Sequence, residues 1–116
     1  MTPFGEKLRA LRAEKGISLR YMASSLQISA AYLSSLENGH RGRPSRGLVR
    51  QICEYFDLIW DDAEEIERLA DLSHPRVVVD TAGLDPLATE FANRLAERIS
   101  SLDKPTLEKM RALLGD

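Results

Sequence analysis

The sequence is short of the groups that most catalytic and secreted proteins use. It has one cysteine, Cys53, and two histidines, His40 and His74. A single thiol excludes an internal disulfide framework, and two isolated imidazoles without clustered thiols exclude a Cys/His zinc site. No apolar run approaches the roughly 18 residues of a membrane-spanning helix, and the N-terminus lacks a basic-then-apolar leader pattern. The expected compartment is therefore the cytoplasm, with no membrane partner. No Gly-rich phosphate loop, metal-ligand cluster or Ser/His/Asp set stands out, so no enzyme activity, metal or cofactor is expected.

What is present fits one small domain with a short appendage: 116 residues, 43% apolar and 29% charged. The net charge of −2 argues at first against a phosphate-bearing partner. The charge is unevenly spread, however. Residues 1–50 carry nine basic side chains against three acidic ones, a balance of +6, whereas residues 51–116 carry seven against fifteen, a balance of −8. Such asymmetry indicates a basic binding face followed by an acidic body.

Helical periodicity runs through most of the chain. Thr2-Pro3 reads as an N-cap and first-turn proline, and Phe4, Leu8 and Leu11 form one stripe that ends at Lys15-Gly16. Ser18 caps a second, short helix with Leu19, Met22, Ala23 and Leu26 on one face, and Ser29 caps a third with Leu33 and Leu36, closed by Asn38-Gly39. His40 to Gly47 has no apolar residue apart from proline and glycine and reads as an exposed loop, with Pro44-Ser45 starting a fourth helix that buries Leu48, Val49, Ile52, Cys53 and Phe56. Ile59 to Leu72 reads as a fifth, stopped by His74-Pro75, and its acidic run as a solvated face. Val77, Val78 and Val79 are the one β-branched run and are expected as a short strand. Asp85-Pro86 opens a sixth helix with Leu87, Phe91, Leu95 and Ile99 on one stripe, and Pro105 starts a last one. The expected fold is all-α.

From about residue 4 to 58 the sequence resembles the phage Cro and repressor-type helix-turn-helix family, also called the XRE family. The residues that carry the resemblance are Arg12 on the first helix, the small Ala23 on the second, Glu37-Asn38-Gly39 closing the third, and Pro44 with Leu48 leading into the fourth. Two positions depart from the pattern. Leu19 stands where the family usually has a phosphate-touching glutamine, and Gln27 where it has the turn glycine, at a cost of roughly 1 kcal/mol for a left-handed backbone.

The resemblance implies a lambda-repressor-like helical bundle over residues 1–58 that binds double-stranded DNA, with an ion pair between Arg12 and Glu37. It places Ala30, Ala31, Tyr32, Ser34 and Ser35 of the third helix toward the major groove, with Ser29 at its N-terminus and Asn38 near a phosphate. Ser18 and Arg20 would replace the missing glutamine at the backbone. Small uncharged side chains give modest direct readout. Arg41 and Arg43, with Tyr32 and His40, are therefore expected to add specificity, and Arg46 and Arg50 to clamp phosphates. Tyr32 has a second reading, half-buried against the first helix. Cys53 is read as core packing.

Residues 59–75 then form a connecting helix and residues 76–116 a strand-and-helix dimerisation region, built from Val77, Val78, Val79, Leu87, Phe91, Leu95 and Ile99. The competing reading has this segment fold back on its own subunit. A helix-turn-helix covers one half-site, and a homodimer places two of them about 34 Å apart. Ala82-Gly83 is similar to the cleavage dipeptide of self-cleaving phage-type repressors, but only 33 residues follow it, and self-cleavage is not expected. The expected function is a dimeric repressor of a palindromic operator. The alternative is an antitoxin whose acidic half binds a basic toxin while its N-terminal half represses its own operon; a separate protease is a further conceivable partner.

Overall fold

The first four helices each start on a hydroxyl group. Thr2 caps α1 (Pro3–Lys15), Ser18 caps α2 (Leu19–Ser25), Ser29 caps α3 (Ala30–Glu37) and Ser45 caps α4 (Arg46–Tyr55), each accepting the backbone N–H three residues on. Their C-termini also share one device. After α1, α2, α3 and α4 the chain passes through a left-handed residue, Gly16, Gln27, Gly39 and Asp57 respectively. The next amide then reaches back to the helix, as in Ile28 N–H to Ala23 O at 3.0 Å and Leu58 N–H to Cys53 O at 2.8 Å. Glycine takes that conformation freely, whereas Gln27 and Asp57 adopt it against a steric preference.

The computed structural model describes residues 1–115, which divide into a unit over Met1–Val77 and a second unit from Val78 onward. In the first unit α5 (Trp60–Asp71) packs on α1 and α4, and α1 also meets α2 and α3. All five helices supply fully buried side chains to one core: Phe4 and Leu8, Met22, Leu33, Ile52 and Ile66. The expected all-α bundle is thus present. Cys53 lies in the same core, and burial, then Glu67 and Glu54, push its thiol pKa up, which disfavours the reactive thiolate.

Three non-local contacts lock α1 in place. Thr2 donates both its N–H (2.9 Å) and its hydroxyl (3.2 Å) to the carbonyl of Glu37 at the end of α3. Gly5 passes so close to that carbonyl that a Cβ on it would lie 2.3 Å from the oxygen. Ser73, just past α5, accepts the Phe4 N–H at 3.0 Å and donates to Leu69 O. Because the Phe4 amide is buried, Ser73→Ala leaves it without a partner. A loss of about 1–3 kcal/mol is expected, measured as a lowered urea midpoint.

The second unit corrects one expectation. Residues 77–79 form no strand; they have no regular structure and no bridge partner, and Val77, Val78 and Val79 are 71%, 92% and 66% exposed. β-branched composition favours an extended backbone, but a strand is stable only in a ladder, and the described residues offer it no neighbour. After this segment come α6 (Pro86–Arg98), a 3-10 turn (Ile99–Ser101) and α7 (Lys104–Leu114). Asp85 and Asp103 cap the two helices, and the hydrogen bond to Thr106 holds the Asp103 carboxyl below its usual pKa. No residue of α6 or α7 is buried, and within this unit α6 packs only against the 3-10 turn.

Candidate nucleic-acid interface

The crossing of α2 and α3 depends on one small residue. Ala23 is 1% exposed at the contact, Met22 beside it is fully buried, and Ile28 fills the turn from the core side. A larger side chain at position 23 would separate the helices. The orientation of α3 relative to α1 is set by Arg12 and Glu37. These form a two-pronged ion pair, Arg12 Nη1 to Glu37 Oε2 and Arg12 Nη2 to Glu37 Oε1 (3.0 Å), with both side chains buried. Met22 Sδ lies 3.8 Å from the same guanidinium.

With α3 fixed in this way, its outer face carries small polar groups. Ala31 is exposed; Ala30, Ser34 and Ser35 are half-buried; Ser29 uses its hydroxyl on the Tyr32 N–H. Asn38 turns its amide back onto Ser34 O at 2.9 Å, which uses one of its donors within the helix. Tyr32 is half-buried against the core and supports Arg41, whose guanidinium carbon lies 5.5 Å from the ring centroid. A cation over a tyrosine face is held there electrostatically. Arg41 is therefore oriented beside α3 without an acidic partner among the described residues.

Ser18 is committed to capping α2, and Arg20 next to it is exposed. Leu19 is half-buried against the core, so this position offers no polar contact to a backbone. His40, Arg46 and Arg50 are all exposed, and among the described residues neither arginine has an ion-pair partner. Arg43 differs: its Nη1 lies 2.6 Å from Asp71 Oδ1. Together Arg43, Arg46 and Arg50 line a cleft of about 300 Å³ whose other charged residues, Glu67 and Asp71, come from α5. Lys7 is not part of this surface, since it pairs with Glu65 at 2.9 Å, a hydrogen bond that raises its pKa.

Sequence reasoning did not find Asp71, Ser73 or Gly5. Glu67 and Asp71 are one helical turn apart on α5 and look like any solvated acidic pair. Their relation to arginines 17 to 28 residues earlier has no local signal.

The helix-turn-helix domain family model matches residues 3–69. Among curated proteins, the HTH-type transcriptional repressor RghR of Bacillus subtilis is 41% identical over 61 residues, 53% of this chain and 45% of that protein. An HTH-type transcriptional regulator of Deinococcus deserti, DdrOP3, is 37% identical over 67 residues, 57% of this chain and 51% of that protein. The chain thus spans about half the length of the curated relatives it matches. No solved structure matches it. The matched span begins and ends within the unit that holds α1 to α5, the capped α2–turn–α3 unit and the buried Arg12–Glu37 pair, and the chain belongs to the helix-turn-helix domain family.

Proposed function

We propose that this chain is a sequence-specific, DNA-binding transcriptional regulator that represses by occupying a palindromic operator as a homodimer. The observation that carries the reading is the outer face of α3 followed by exposed arginines in the next loop and on α4, of which Arg43 alone forms an ion pair among the described residues. Relatives whose printed names are transcriptional repressor and transcriptional regulator support it. In this reading Ser29, Ala30, Ala31, Ser34 and Ser35 meet the base edges. Arg41, held on Tyr32, reaches bases beside the helix. Arg20, Arg46 and Arg50 neutralise phosphates. Ser18, Asn38, His40 and Arg43 complete the contact. The protein works in the cytoplasm, where the DNA is, and acts by occupancy rather than by chemistry.

Dimerisation is assigned to α6 through Leu87, Phe91 and Leu95, and to Ile99 at the start of the 3-10 turn, with no strand involved. No membrane partner enters this mechanism, and no helix among the described residues is long and apolar enough to cross one.

The test is the salt dependence of binding. Each lost phosphate contact removes about 0.9 from the log-log slope of affinity against salt. The double variant Arg46→Ala/Arg50→Ala is therefore expected to flatten that slope by about 1.8 and to weaken binding to operator and random DNA alike. Unchanged binding across salt concentrations would remove α4 from the interface and overturn the assigned face.

A further inference from the structure

The Arg43–Asp71 pair stands apart from the other basic residues of the proposed DNA face. Arg43 sits in the loop before α4, between Gly42, whose Cα faces open space, and the buried Pro44. Its side chain is 37% exposed and that of Asp71 55%, so solvent and ligands reach the pair. Arg46 and Arg50 line the same cleft without an ion-pair partner among the described residues, and Glu67 adds a second carboxylate. A DNA phosphate approaching this cleft meets two free guanidiniums and a third already held by an acid.

From this geometry, and resting on the DNA-binding reading above, we propose that Asp71 is a built-in competitor for the DNA phosphate at Arg43. Phosphate and carboxylate are both anions that a guanidinium binds through the same N–H fork. While Asp71 holds Arg43, a phosphate must either displace it or stay out, and if it displaces it the carboxylate remains nearby as a like charge. Both consequences weaken the backbone contribution to binding. That contribution carries no sequence information, so the competitor lowers affinity for random DNA as much as for an operator. It keeps the protein mobile on the bulk of DNA while leaving the readout by α3 untouched. The exposed pair adds little to folding, which permits its removal without loss of the bundle.

The experiment is a cycle of Asp71→Asn, Arg43→Ala and the double variant, each titrated with a labelled mixed-sequence duplex of about 20 base pairs, two helical turns, over a range of salt. Circular dichroism verifies the folds. Asp71→Asn is expected to tighten binding about three- to ten-fold at low salt and to steepen the log-log slope by up to about 0.9, one added phosphate contact. Arg43→Ala is expected to flatten the slope by less than about 0.9, because Asp71 already denies Arg43 part of that contact in the wild type. In the Arg43→Ala background, the Asp71→Asn gain should shrink to less than half. If the gain is equal with and without Arg43, Asp71 acts only through the general field and the proposal fails. If Asp71→Asn weakens binding, the carboxylate positions Arg43 for DNA instead, and the proposal also fails. If Arg43→Ala and Asp71→Asn both leave binding unchanged while Arg46→Ala/Arg50→Ala weakens it, the DNA face stands and only the competitor is overturned. If neither variant matters, the DNA face itself is wrong.

Discussion

Replacing Glu37 with alanine is expected to destabilise the first unit by roughly 3–5 kcal/mol, a large part of the about 5–15 kcal/mol that holds a typical domain. The Glu37 side chain is 1% exposed and that of Arg12 7%. Removing the carboxylate leaves the Arg12 guanidinium buried among Met22 and the core, and a guanidinium cannot shed its charge by releasing a proton. The Glu37 backbone carbonyl, which receives Thr2 and crowds Gly5, is unaffected by the substitution, so the loss reports the side chain alone. Arg12→Met/Glu37→Leu, which removes both charges and keeps the volume, is expected to recover most of the loss. Urea unfolding of the single and double variants measures both effects. A cost below about 1 kcal/mol for Glu37→Ala, the range of an exposed pair, would show that water reaches the site.

The same pair shows how far the sequence could be read. N-caps at Thr2, Ser18, Ser29 and Ser45 are local chemistry, since the capping oxygen and the amide it accepts are three residues apart. Local rules therefore find them, as they find the apolar stripes. The left-handed residues after α1 and α3 announce themselves as glycine, and Gln27 is legible only through the turn glycine of the family it resembles; Asp57 carries no such mark, and the Leu58 N–H to Cys53 O bond closes its turn. Contacts of long sequence separation, Phe4 with Ser73 and Arg43 with Asp71, are invisible until the helices are arranged. The valine run misled for the opposite reason. Its β propensity is real, but propensity describes fit to a sheet that the described residues do not contain. On the DNA side, residue types indicated which arginines are basic and exposed. They gave no indication that one of them is shared with an acid.

Replacing Phe91 or Leu95 with aspartate is expected to turn the proposed dimer into a monomer and to weaken operator binding by about 10²–10⁴-fold, the usual gain from linking two binding modules. The helix α6 is 13 residues long with no buried side chain, a length at which an isolated helix is marginal in water. Leu87, Phe91 and Ile99 are half or more exposed, on a four-residue spacing that aligns them along one stripe with Leu95. Covering such side chains fully contributes about 1.5–3 kcal/mol each, so a self-complementary stripe meeting its copy across a two-fold axis stabilises both the helix and the assembly. A two-fold axis is also what a palindromic site requires. Sedimentation of wild type and variants, with titration of an operator selected from a randomised pool, separates the readings. A variant that stays dimeric would move the interface elsewhere. A wild type that is monomeric while binding its operator, with a variant that lowers the unfolding midpoint of α1 to α5, would mean that α6 covers its own subunit. In the dimer reading, by contrast, each variant monomer keeps one subunit's phosphate contacts, which the charge on α4 and its loop supplies, and loses the second half-site.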